Sequence, residues 1–278
     1  MRILLWIAVG LGVVLAAVAG VIALGLRSFD VQMDGEAESL LDSAQRPPAG
    51  VITEADLANL PDPVQRYCRR TGILGKPRIQ SAVVQQRGGF RTAQDGPWMP
   101  MRARESYTVN SPGFIWQARI SMGSLPILTV RDHYRAGEGR VLAKIGGLFT
   151  VADERADEAS LMRYFNELMW LPTAYLGDNV EWQPVEEYHA RGIMTDSGMT
   201  VSALFTFSDE GDIVNFAADR YCSVTAEIER WETPIDEWAE FQGFRVPLHG
   251  QGVWKLEDGD FAYVDLKITD ISFGTGSP

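Results

Sequence analysis

From Ile3 to Leu26 the chain runs 24 residues without a charged side chain, bracketed by Arg2 and Arg27. As a helix rising ~1.5 Å per residue, such a run reaches roughly 36 Å, more than the ~30 Å hydrocarbon core of a bilayer. Residues 1–27 are therefore expected to form a retained transmembrane anchor, single-pass in the cytoplasmic (inner) membrane. The competing reading is a cleavable secretory signal, because Ala17-Val18-Ala19 before Gly20 supplies small residues of the cleavage type. Against it, the apolar run continues through Val21, Ile22, Leu24 and Leu26, where a mature N-terminus turns polar. Arg2 and the amino terminus face only Arg27 and the distant Arg46 across the membrane, a nearly even count for orientation. The two-residue N-terminal flank has the form of a signal anchor, which places the remainder outside the cytoplasm.

Beyond Arg27 the acids Asp30, Asp34, Glu36, Glu38 and Asp42 lead to Pro47-Pro48, and residues 28–52 read as an acidic, proline-containing linker. A short helix is expected from Pro63 to about Thr71, with Asp62 as its cap and Gly72 ending it. From Arg78 the apolar residues alternate, as in Phe114, Trp116, Ala118, Ile120 and Met122, and the runs are separated by turn formers such as Asn110-Ser111-Pro112-Gly113. One stretch interrupts the alternation. Leu161, Tyr164, Phe165 and Leu168 fall at helical spacing, Arg163 and Glu167 stand one turn apart as a structural pair, and Pro172 closes the element. About ten strands and two helices imply an α+β fold over residues 53–278: a single domain built on a curved, mostly antiparallel, half-barrel-like sheet.

Composition narrows the function classes. At 46% apolar and 22% charged residues the chain is neither disordered nor collagenous. A net charge of -12 argues against a nucleic-acid partner, whose affinity depends on neutralising phosphates. The total hides a split: residues 76–144 carry 11 basic and 4 acidic side chains, residues 145–278 carry 8 and 25. Arg102, Arg104, Arg119, Arg131 and Arg135 share the face of the sheet opposite its apolar residues. That face reads either as a basic surface for anionic lipid or as a solvated one neutralised by the acidic second half. No nucleophile elbow, zinc-protease helix or dinucleotide loop is present, and no cofactor is implied. His133, His189 and His249 lack neighbouring metal ligands at zinc-like spacing, so no metal or catalytic residue is assigned. Cys68 and Cys222 read equally as a disulfide or as two buried thiols.

Four charges fall on apolar faces. Glu105 lines up with Met101, Ala103 and Tyr107, and Asp132 with Leu128, Val130 and Tyr134. Arg220 lines up with Val214, Phe216 and Ala218, and Arg230 with Val224, Ala226 and Ile228. A charge on a buried face is costly unless paired, so two acids and two arginines so placed imply internal partners. They form either a structural ion-pair network or a polar spot that orients a ligand in an apolar cavity. Trp170, at the closing turn of the inserted helix, is positioned to cover one end of the sheet and joins the candidate binding residues.

The segment Arg163-Tyr164-Phe165-Asn166-Glu167-Leu168-Met169-Trp170-Leu171-Pro172, followed by Trp182, Phe205-Thr206-Phe207, Gly211, Arg220, Gly243, Val246-Pro247, Trp254 and Tyr263, resembles a family of bacterial membrane-associated proteins of unknown function. The resemblance spans roughly residues 60 to 273 and transfers no catalytic residues. The layout of helix, meander, inserted helix and further strands also resembles, in architecture alone, the half-barrel of periplasmic lipoprotein carriers; the lipobox cysteine of an anchored lipoprotein is missing. The function expected is non-enzymatic binding or carrying of a lipid or other apolar ligand at the bacterial envelope. An envelope scaffold for a protein partner is the alternative, and a hydrolase using Glu105, Asp132 or a histidine ranks below both.

Overall fold

The computed structural model describes residues 2–44, 50–123 and 125–275; Pro47-Pro48 of the expected linker lie outside them. The helix α1 (Arg2–Asp42) is long and apolar enough to cross a membrane. It does not stop at Arg27. Residues 28–42, read above as linker, are helical, and the reason is a stripe of apolar residues inside the acidic stretch: Leu26, Phe29, Met33, Ala37 and Leu40 recur every three or four positions and are buried.

The stripe packs on the sheet strands β2 (Met99–Thr108), β3 (Gly113–Met122) and β4 (Leu125–Arg135). The acids flanking the stripe meet the basic face. Arg119 donates to Asp30, Arg104 to Asp34 at 3.2 Å, Arg131 to Glu36 at 3.1 Å, and Arg135 to the Ser39 hydroxyl at 3.2 Å. Over β2–β4 Arg104, Arg119, Arg131 and Arg135 thus meet the polar side of α1 while Arg102 stays exposed, so the acids that face this surface come from α1 and not from the second half of the chain. Half-exposed pairs of this kind contribute ~0–1 kcal/mol each, whereas burying a large apolar side chain contributes about 1.5–3 kcal/mol. The stripe holds α1 down, and the charges set its register.

The remaining elements are two short helices, α2 (Glu54–Leu57) and α3 (Asp62–Arg70), and two meanders. The first adds β1 (Ile79–Phe90), β5 (Glu138–Ile145) and β6 (Phe149–Arg155) to the strands under α1. The second comprises β7 (Val180–Glu186), β8 (His189–Asp196), β9 (Met199–Phe207), β10 (Ile213–Cys222), β11 (Glu227–Phe241), β12 (Phe244–Leu256) and β13 (Gly259–Thr275). Among the described residues they form one antiparallel sheet of 13 strands in the order β6-β5-β4-β3-β2-β1-β13-β12-β11-β10-β9-β8-β7, the meanders joining where β1 pairs with β13. The thirteen strands exceed the ten or so expected, and two of them show why. β6 is exposed over nearly its whole length and so carries no alternation of burial, and the inner face of β8 is built on the small residues Ala190 and Gly192.

The chain passes from one sheet edge, β6, to the other, β7, through α4 (Asp157–Glu167) and two short 3-10 turns at Leu168–Trp170 and Pro172–Leu176. α4 touches β4 and β5 on one side and β9 and β10 on the other. At ~4.8 Å per strand, β4 and β10 are roughly 34 Å apart along the sheet, while a helix is about 10–12 Å across. A helix can touch both only if the sheet curls around it. The helical spacing of Leu161, Tyr164, Phe165 and Leu168 is what fills that curl, and all four are buried. Phe165 packs among Tyr175, Phe205 and Phe216 at ring distances of 6.0, 5.4 and 6.0 Å. A Cβ at Gly192 would collide with the Phe165 and Phe205 rings, which explains the glycine in mid-strand. Cys68 and Cys222 are both buried free thiols, and burial pushes the Cys68 thiol up to about 12.

Candidate functional site

Inside the curl, the Arg163–Glu167 helix pair is the centre of a larger cluster. Each guanidinium nitrogen of Arg163 meets a carboxylate from a different element: Nε donates to Glu167 on α4 at 2.8 Å, Nη1 to Asp132 on β4 at 2.8 Å, and Nη2 to Glu105 on β2 at 3.0 Å. The rings of Phe114 and Trp116 lie 5.0 and 4.7 Å from the guanidinium carbon. The outer oxygens of the carboxylates are also engaged. Gln86 donates to Glu105 at 3.0 Å while accepting from the Trp116 indole at 2.9 Å, the Tyr107 hydroxyl donates to Glu167 at 3.1 Å, and Ser160 reaches Asp132 at 3.4 Å.

Three carboxylates around one arginine leave excess negative charge, which a dry interior does not tolerate. Burial pushes the Glu105 carboxyl well above its usual range, and neighbouring Glu167 adds to the push. Burial raises Glu167 as well. Both shifts run toward the protonated form, against the surplus negative charge of the cluster. Burial opposes the charge on Arg163, but Glu167, Glu105 and Asp132 outweigh it and keep the guanidinium protonated.

Beside the cluster lies a cavity of about 270 Å³. Its walls come from both meanders, with Phe90, Trp116 and Val130 on one side and Trp231, Tyr263 and Leu266 on the other. Arg163, Asn166, Glu167, Met169 and Trp170 contribute from α4 and the turn after it. Trp170 is buried, 6.5 Å from the Tyr107 ring, and its indole N–H has no partner among the described residues.

The four charges singled out in the sequence do not form one network. Glu105 and Asp132 come together, but on Arg163. Arg220 sits across the cavity, its guanidinium carbon 4.8 Å from the Trp231 ring and 5.5 Å from the Trp254 ring. Among the described residues it makes no ion pair, and its buried Nε lacks a hydrogen-bond partner. Burial lowers its pKa from the usual arginine value. Arg230 is on the opposite face, where it meets Asp219 at 3.7 Å and Glu232 at 3.4 Å with its side chain 40% exposed. The face assigned to it from Val224, Ala226 and Ile228 is overturned: Val224 and Ala226 lie in the turn between β10 and β11, Ile228 is exposed, and the inner face is carried by Trp231 and Ile235. The residue that sequence reasoning missed is Arg163 as partner of the acids; its own i,i+4 glutamate hid the two long-range carboxylates.

His249, also on the cavity wall, is bracketed by Asp236 at 2.5 Å and Asp265 at 3.2 Å. Burial opposes its charge, yet the two aspartates raise its pKa above the ordinary histidine value. Among the described residues no group of three or more histidines, cysteines and acids has the geometry to hold a metal ion.

The profile of a family of unknown function, DUF6544, matches residues 50–266, and the chain belongs to that family. No curated protein matches it. Among solved structures, the chain is similar to a Vibrio parahaemolyticus domain described as an outer-membrane lipoprotein-sorting protein, with 10% identity and a TM-score of 0.46 over 72% of this chain and 87% of that one. A LolA-superfamily protein from Nitrosomonas europaea gives 10% identity and a TM-score of 0.44 over 82% and 96%. A DUF1329-family protein from Desulfovibrio piger gives 8% and 0.43 over the same shares.

Proposed function

We propose that the protein binds a lipid or other apolar ligand in the cavity inside the curled sheet, without transforming it. In this reading α1 anchors the chain in the inner membrane through residues 1–27, and residues 53–278 form an extracytoplasmic binding domain. The observation that carries the reading is the cavity: aromatic and aliphatic side chains from both meanders enclose a space near the lower end of the ~300–1,000 Å³ typical of small-molecule sites, with a few polar groups at fixed positions. The engagement of Glu105, Asp132 and Glu167 by Arg163 supports binding over hydrolysis, because each acid has an oxygen tied to that guanidinium, including Asp132 and Glu167, which line the cavity. In this reading they and Trp170 shape the wall, and Arg220 faces the ligand.

The test is organic extraction of the full chain purified from its native membranes, followed by mass spectrometry of the extract. One lipid class is expected at near-stoichiometric amount, enriched over the bulk membrane. An extract with the composition of the bulk membrane would overturn the proposal.

A further inference from the structure

We infer that the ligand carries an anionic, oxygen-rich head group, a carboxylate or a phosphate ester on an apolar chain, received by Arg220. The inference rests on the proposed use of the cavity and names the chemistry of its occupant. Arg163 is neutralised on every nitrogen, whereas Arg220 lines the same interior half-buried, its Nε shut off from solvent and unpartnered, with no carboxylate in ion-pair range among the described residues. A cation with a desolvated nitrogen and no counter-ion is costly, and a cavity meant for a purely apolar ligand has no use for one. Trp231 and Trp254 flank the guanidinium and recover part of that cost through their ring faces. Rings packed on a guanidinium leave the N–H edge to make the planar, paired hydrogen bonds that match a carboxylate or phosphate. The unpartnered Trp170 N–H, a donor, lies on the same cavity, and Leu266 and Ile268 continue it as an apolar wall. Head and tail of one amphiphile are thus both provided for. The rival role for Arg220 is to balance the surplus negative charge of the Arg163 cluster from across the cavity.

The experiment uses the full chain in phosphatidylcholine nanodiscs at pH 8.5, with quenching of tryptophan fluorescence by three brominated probes: dibromostearic acid, a lysophosphatidate with the same chain, and dibromostearyl alcohol. The wild type is expected to bind the acid, the lysophosphatidate or both at least tenfold more tightly than the alcohol. R220Q should bind all three alike, and R220K should keep part of the preference. Equal affinity of the wild type for acid, phosphate and alcohol would overturn the inference while leaving cavity binding intact, as would a preference that survives in R220Q. Quenching confined to the fraction owed to Trp6 in the anchor would overturn the cavity reading and the inference with it.

A different observation carries a second inference. Met122 and Leu125, at the β3–β4 tip, and Ile145, Leu148, Phe149 and Val151, at the β5–β6 tip, are exposed. These adjacent hairpins end where α1 is still apolar: a Cβ on Gly146 would touch Ile22, and Gly25 and Gly147 approach so closely that side chains on either would collide with backbone. α1 then follows the strands to their other end, where Leu40 reaches Gly113. An uncharged run of roughly 36 Å in a core of ~30 Å puts Ile22 to Leu26 at the membrane surface. The geometry points to the two tips lying in the interface of the bilayer that α1 crosses, so that the domain stands directly on the membrane. This rests on α1 as a membrane span.

The test labels F149C, and separately L125C, with an environment-sensitive fluorophore on the full chain in phosphatidylcholine vesicles containing spin-labelled lipid. V51C, in an exposed residue paired with the chain just before β1 and so at the far end of the strands, is the control. The native thiols are buried and stay unlabelled. Blue-shifted emission quenched by the lipid is expected at 149 and 125 and not at 51. If 149 and 125 behave like 51 while the protein stays with the vesicles in alkaline carbonate, the tip placement is wrong. Release by carbonate would overturn the membrane span itself, and the tip placement with it.

Discussion

Two arginines face the same interior and are treated in opposite ways. Arg163, on a helix, is held by three carboxylates from three elements and ties α4 to β2 and β4. Arg220, on a strand across the cavity, has aromatic rings for neighbours and, among the described residues, no ion pair. A charge that is fully matched belongs to the architecture, because removing it leaves its partners stranded. A charge that is left unmatched costs stability in the empty fold, and such a cost persists where a ligand supplies the missing partner. The two sites should therefore respond to mutation with opposite signs.

The largest effect is expected at the matched site. Arg163→Met strands Glu105, Asp132 and Glu167 and should cost about 3–5 kcal/mol in denaturant unfolding. A loss below about 1 kcal/mol would erase the contrast. Trp170→Ala next to it should cost about 3 kcal/mol, at the low end for a buried tryptophan because one side of the ring meets a cavity and not packed atoms. Arg220→Met should go the other way, leaving the fold unchanged or up to about 1 kcal/mol more stable, since it exchanges a half-buried cation with an unpartnered Nε for an apolar group. A loss as large as that of Arg163→Met would mean that Arg220 serves the fold.

Glu105→Gln sharpens the account of the raised Glu105 carboxyl. A carboxyl whose pKa is raised in the folded state contributes stability that is complete below its unfolded pKa and is lost as pH rises through the folded value. Wild-type stability should thus fall from mildly acidic pH upward, and the variant should flatten that fall while costing less than about 1 kcal/mol at neutral pH. Urea titrations at a series of pH values give both quantities. Least of all is expected from Arg230→Ala: its pairs are exposed on the outer face, and the change should stay within about 0.5 kcal/mol.

How much of this was legible in the sequence follows from the range of each interaction. Period-two alternation marks most strands, because one face of each packs on the interior, and the same count places Glu105 and Asp132 inside correctly. It fails where alternation is carried by exposed residues, as at Val224 and Ile228, and Arg230 was misplaced for that reason. The helical part of α1 beyond Arg27 was present as the spacing of Phe29, Met33, Ala37 and Leu40, but its acids resembled a solvated linker until the arginines of β2 to β4 were seen opposite them. Arg163 meeting Glu105 and Asp132 depends on the sheet curling around α4, and no local pattern reports a contact 58 or 31 residues away.

The central claim, that an amphiphile occupies the cavity, is tested most directly by photocrosslinking the full chain in nanodiscs with a fatty acid bearing a diazirine on its chain, followed by peptide mapping. Adducts are expected on cavity residues such as Trp231, Tyr263, Leu266 and Ile268, and an excess of unlabelled fatty acid should abolish them. Adducts confined to α1 and the hairpin tips, undiminished by that excess, would contradict the account.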